Sequence, residues 1–104
     1  MNNDINMVSI NFLKTYDSKR DLIVDIREKE KYLKSHIPGA KNYNVEYLLD
    51  NFNDLKPYHR VYIYCDFGNK GMKVVKLLQE RYSIYNVYNV VGGFNIYRGK
   101  IERE

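Results

Sequence analysis

A single cysteine, Cys65, stands directly after the apolar run Val61-Tyr62-Ile63-Tyr64 and directly before Asp66-Phe67-Gly68-Asn69-Lys70-Gly71, a stretch with two glycines. Buried strand, thiol, tight loop, helix: nucleophilic sulfur chemistry requires that order. A sulfur at the carboxyl end of a buried strand lies where open α/β sheets place their ligands, and a helix opening behind the loop turns its unpaired N–H groups back toward it. Such donors favour thiolate over thiol, with Lys70 as the candidate neighbouring cation. A lone cysteine is more often a small buried hydrophobe, so position alone leaves reactivity and plain burial both open. One cysteine excludes an intrachain disulfide, and with only His36 and His59 beside it the chain lacks a conventional tetrahedral metal set. Neither a metal nor another cofactor is expected.

The loop needs elements to hold it. Leu22-Ile23-Val24-Asp25-Ile26 is apolar on both faces, as expected of a central strand covered from each side, and Val61 to Tyr64 reads as its buried partner. From Met72 to Tyr82 the residues Val74, Val75, Leu77, Leu78 and Tyr82 recur at helical spacing, with Lys73, Lys76, Gln79 and Glu80 opposite. A third strand over Val87 to Val91 leads into Gly92-Gly93 and a short helix with Phe94 and Tyr97. Ser9 is placed to cap a brief helix through Tyr16 that faces Ile10 and Leu13 inward; Met7 to Ile10 is too short to classify. Asp17 to Asp21 reads as a polar turn. Arg27 to Ser35 is helix-prone with Tyr32 and Leu33 as apolar contacts, and Pro38-Gly39 turns the chain after it. A short strand around Asn42 and a helix around Val45 to Phe52 follow. Strands alternating with helices mean crossover units and a mostly parallel sheet, and 104 residues suffice for one domain, residues 1–104 with a core of about 5–100.

The composition, 44% hydrophobic and 29% charged, is that of an ordinary globular chain. A net charge of +4 with a pI near 9.1 raises nucleic acid as a partner, but the 17 basic residues are scattered singly. Lys29, Lys31 and Lys34 alternate with Glu28 and Glu30, the pattern of a solvated helix face rather than a phosphate-tracking stripe, so nucleic acid is disfavoured. No apolar run approaches the roughly 20 residues of a membrane span, and the polar start Met1 to Asn6 has no apolar leader segment. A cytoplasmic protein without a membrane partner is the expectation.

Three landmarks then occur in order. Asp25-Ile26-Arg27 precedes His36-Ile37-Pro38-Gly39-Ala40; Cys65 and Gly68 form Cys-x-x-Gly after a buried strand; Gly92-Gly93 is followed by an aromatic, Tyr97. Together they resemble the rhodanese-like domain family over about residues 5 to 100. The resemblance implies an α/β fold, a five-stranded, mainly parallel sheet flanked by helices on both faces, with an active-site loop starting at the cysteine. It implies a sulfurtransferase in which Cys65 is the catalytic nucleophile, Asp66, Phe67, Gly68, Asn69, Lys70 and Gly71 are the substrate-binding loop, and Asp25, Arg27 and His36 are supporting residues. Asp25 with Arg27 reads as an ion pair bracing the loop from the neighbouring strand, with direct substrate contact as the alternative, and His36 as the residue holding its own turn, with a direct acid–base role as the alternative. Implied partners are a small sulfane-sulfur donor or a persulfidated protein and, with no second cysteine to resolve a persulfide, an external thiol or cyanide acceptor. The chain departs from the family pattern at Asp66, Lys70, Gly71 and Tyr97, and the Asp66 carboxylate is expected to disfavour dianionic donors such as thiosulfate. Two other functions fit the resemblance: a noncatalytic binding or regulatory module, and a cysteine-dependent phosphatase, which would need a longer loop closed by an arginine.

Overall fold

Along two adjacent strands, side chains alternate between two cores, and this alternation sets the position of every residue near the thiol. A computed structural model describes residues 5–16 and 18–104; Met1 to Asp4 of the polar start, and Asp17 of the turn read after Tyr16, lie outside them. Among the described residues five strands form one sheet: β1 (Met7–Ser9), β2 (Asp21–Asp25), β3 (Lys41–Asn42), β4 (Arg60–Tyr64) and β5 (Val87–Val91). Their spatial order is β1-β5-β4-β2-β3, and every pairing is parallel. The β2–β4 register sets Leu22 beside Val61, Val24 beside Ile63 and Asp25 beside Tyr64.

On one face, Leu22, Val24 and Ile26 join Val61, Ile63 and Cys65 in a core closed by Leu48 of α2 (Val45–Asp50), Leu55, and Val74, Val75 and Leu78 of α3 (Asn69–Tyr82). On the other, Ile23, Tyr62, Tyr64 and Val90 pack with Ile10, Leu13, Ile37 and Ala40, and with Tyr32 of α1 (Lys29–Lys34), Phe94 and Tyr97. Helices therefore flank the sheet on both faces, as the α/β reading expected. No helix among the described residues is long and apolar enough to cross a membrane.

Several local expectations need correction. Met7 to Ser9 is a strand, paired to β5 at the sheet edge, and the segment Ser9 caps is a 3₁₀ helix over Ile10–Thr15, with Asn11 N–H donating to Ser9 Oγ at 3.3 Å. The α1 helix buries no residue; of its two expected apolar contacts, Tyr32 packs against the core while Leu33 is exposed. The helix around Val45 ends at Asp50, and a separate 3₁₀ turn over Phe52–Leu55 supplies Leu55 to the core. The helix expected from Met72 begins at Asn69, so Asn69, Lys70 and Gly71 form its first turn.

Candidate active site

Cys65 continues the inward series of Val61 and Ile63 past the end of β4 and is buried at 5% exposure. The chain then turns in three residues: Gly68, with a φ of 99°, caps α3 and offers its first turn no side-chain acceptor. Two amides of that turn are spent on the sulfur. Gly68 N–H donates to Sγ at 3.0 Å and Gly71 N–H, in the first turn of α3, at 3.4 Å. A thiol is a weak acceptor, so two converging donors at a helix N-terminus suit a sulfur that carries negative charge.

The first two carbonyls of the loop are anchored from behind. Phe94 N–H donates to Cys65 O at 2.8 Å and Asn95 N–H to Asp66 O at 3.0 Å, both from the 3₁₀ turn Phe94–Ile96 that follows Gly92-Gly93. Gly93 permits this approach: a Cβ there would run into the carbonyl of Asp66, and its φ of 64° is in the left-handed range. Gly71 plays the same part on the inner side, where a Cβ would meet Asn89 Oδ1 at 2.5 Å and Ile63 O at 3.3 Å.

Beside the loop, on the neighbouring strand, Asp25 is wholly buried and Arg27 nearly so. Arg27 Nε lies 3.1 Å from both Asp25 oxygens, Nη2 donates to Oδ2 at 2.8 Å and to Ser35 O at 2.6 Å, and the Arg27 backbone N–H donates to Asp25 Oδ1 at 2.8 Å. Burial works against the Arg27 charge, but the hydrogen bonds and charge of Asp25 outweigh it and hold the guanidinium above its ordinary pKa. Its Cζ lies 4.2 Å from the centroid of the Phe94 ring, so the ion pair braces the turn that anchors the loop. Tyr64, directly before Cys65, is kept protonated far above the usual phenol range by burial and by the charge and hydrogen bond of Asp25; Ile37 N–H donates to its hydroxyl at 3.2 Å.

The loop side chains diverge. Phe67 is exposed, as are Asn69 and Lys70. Lys70 makes no hydrogen bond or ion pair with a described residue; instead of covering the sulfur it lines a groove of about 670 Å³ with residues of α1 and β3. Asp66 pairs with Lys31 of α1, Nζ to Oδ2 at 2.9 Å, and that bond with the Asp66 charge raises the Lys31 pKa. His36 is buried away from the loop. Its Nδ1 donates to Tyr32 O at 2.7 Å, its ring stacks on Tyr32, and Nε2 lies 3.3 Å from Glu104 and 3.8 Å from Glu102. It fastens its turn to the last residues of the chain, with His36 and Glu102 also exchanging backbone bonds.

Sequence reasoning missed Lys31, the amides of Phe94 and Asn95, the buried Tyr64 hydroxyl, and Asn42, whose side-chain amide donates to Asp25 O and Arg27 O at 2.9 and 3.0 Å. Gly92-Gly93, read only as a landmark followed by an aromatic, stands directly before Phe94 and Asn95, but nothing in it pointed to their amides.

Known proteins resemble the chain in sequence and in fold. YrkF of Bacillus subtilis, provisionally named a sulfur carrier protein, is 32% identical over 92 residues that cover 88% of this chain and 49% of YrkF. The Saccharomyces cerevisiae adenylyltransferase and sulfurtransferase UBA4 is 28% identical over 94 residues, 81% of this chain and 21% of that one. The chain thus spans about half or less of the length of these relatives. In fold it superposes on a rhodanese-related protein from Thermoplasma volcanium with a TM-score of 0.80 at 18% identity, covering 95% of this chain and 99% of the other. The model of the rhodanese-like domain matches residues 11–100, and the chain belongs to that family.

Proposed function

We propose that this domain is a sulfurtransferase that carries a sulfane sulfur as a persulfide on Cys65. The observation that supports it best is the pair of amides, Gly68 and Gly71, converging on Sγ at the opening of α3. Similarity to proteins named for sulfur carriage and sulfur transfer points the same way.

In the first half-reaction the Cys65 thiolate attacks the outer sulfur of the donor. The new S–S bond forms as the donor's own S–S bond breaks, and the leaving group departs with the electron pair: sulfite from thiosulfate, a thiolate from a persulfide. The terminal sulfur then carries the negative charge, in reach of first-turn amides that are already oriented. In the second half-reaction an external thiolate or cyanide attacks that terminal sulfur, and Cys65 leaves as thiolate. Each half leaves a discrete enzyme form, so initial rates should trace ping-pong kinetics. Thiocyanate production from cyanide and a sulfane donor should show parallel double-reciprocal lines and vanish in Cys65→Ser. Intersecting lines, or turnover that survives Cys65→Ser, would rule the mechanism out.

A further inference from the structure

The cations near the loop fall into two groups. Arg27 is consumed by Asp25, and Lys31 by Asp66. Lys29, Lys41 and Lys70 have no ion-pair partner among the described residues, yet all three line the groove of about 670 Å³ beside the loop. They come from three elements, the start of α1, β3, and the first turn of α3, so the fold itself brings like charges together. Like charges gathered on one surface raise the local potential and attract an anionic partner. The groove also has apolar walls, from Leu33 and Tyr43.

We propose that this groove is the docking surface for an acidic, partly apolar segment of a partner protein that delivers sulfur to Cys65 or removes it. The partner's purpose rests on the persulfide reading; the surface itself does not. Size argues against a small sulfur oxyanion as the natural occupant, since a cavity of this volume accommodates a drug-sized ligand or several side chains. Chemistry argues against nucleic acid, because Glu28 stands in the same groove and would repel a phosphate backbone, whereas a peptide can place its acidic residues to avoid it. Lys70 belongs both to this groove and to the turn whose amides hold Sγ, so a segment lying here brings its neighbouring thiol or persulfide to the mouth of the loop.

The test measures binding without chemistry. A short fluorescent peptide alternating Glu with Leu, its Gln counterpart and its Lys counterpart are titrated by anisotropy against Cys65→Ser protein. The Glu peptide should bind about tenfold more tightly than the Gln peptide at low salt and lose that margin as salt rises. In Lys29→Glu/Lys41→Glu the preference should invert toward the Lys peptide, which also reports that the variant is folded. Lys29→Gln and Lys41→Gln should each weaken the Glu peptide severalfold. Equal affinity for the Glu and Gln peptides, an acidic preference that survives the double reversal, or tighter binding of a single-stranded oligoribonucleotide would each overturn the proposal. Because neither protein nor probe carries the reactive sulfur, a failure of sulfur transfer leaves this result standing.

Discussion

The Asp25 side chain has no exposure to water, and it is tolerated there because Arg27 folds back two residues later and meets both of its oxygens. Such a pair need not stabilise the fold in net terms, but breaking it from one side leaves an uncompensated buried charge. Arg27→Met should therefore lower stability by about 3–5 kcal/mol in urea unfolding, and Asp25→Asn/Arg27→Met should recover much of the loss. A cost within about 1 kcal/mol for Arg27→Met would mean that water or another group serves Asp25. The local Asp-x-Arg pattern made this pair legible in the sequence, since both partners sit at one strand end. The His36 contacts were legible only in part. That it holds its turn followed from its neighbours, but its placement beside Glu102 and Glu104 depends on how the chain's end returns to α1.

Among the elements, α1 and the cysteine loop are tied by Lys31 and Asp66, and this alters the expectation for Asp66. Its carboxylate does not face an incoming donor alone but as half of an exposed ion pair. The two substitutions should then act in opposite directions. Lys31→Met should slow sulfur loading from thiosulfate relative to an uncharged organic polysulfide, and Asp66→Asn should speed it, each by roughly three- to tenfold at low salt. Stopped-flow loading with both donors would measure the ratio; variants that change both donors equally would show that the pair only braces the loop. Lys31 was read as part of a solvated helix face because charge alternation is local information, whereas its partner lies on an element placed beside it only by the sheet order. The same limit explains the start of α3. Glycines around Asn69 and Lys70 suggested loop, while the helix accepts Gly71 because Asn89 leaves no room for a Cβ. The three-residue β1 had no period to read and exists through its pairing to β5.

For the molecule as a whole, the phenol of Tyr64 is buried in the central strand β4, and this sets an alkaline limit. Tyr64 is held protonated by burial and by Asp25, and burial likewise raises Tyr16, Tyr32, Tyr43 and Tyr97. A group whose folded pKa exceeds its unfolded value contributes fully below the unfolded pKa and loses that contribution as pH rises toward the folded one. Unfolding free energy should therefore fall above pH of about 10, and less steeply in Tyr64→Phe; an unchanged slope in that variant would assign the loss elsewhere. The α/β class, the mostly parallel sheet and the central strands were readable because buried strands and an amphipathic helix carry their own periodicity. The groove was not, since its lysines are neighbours only after three elements close on one another. Sulfur transfer through Cys65 is tested most directly by the intact mass of the protein after incubation with thiosulfate, mercaptopyruvate and a persulfidated donor protein. The wild type should gain the mass of one sulfur atom with at least one donor, lose it to cyanide or excess thiol, and gain nothing as Cys65→Ser; a wild type left unmodified by all three, or a Cys65→Ser variant that gains the same mass, would contradict it.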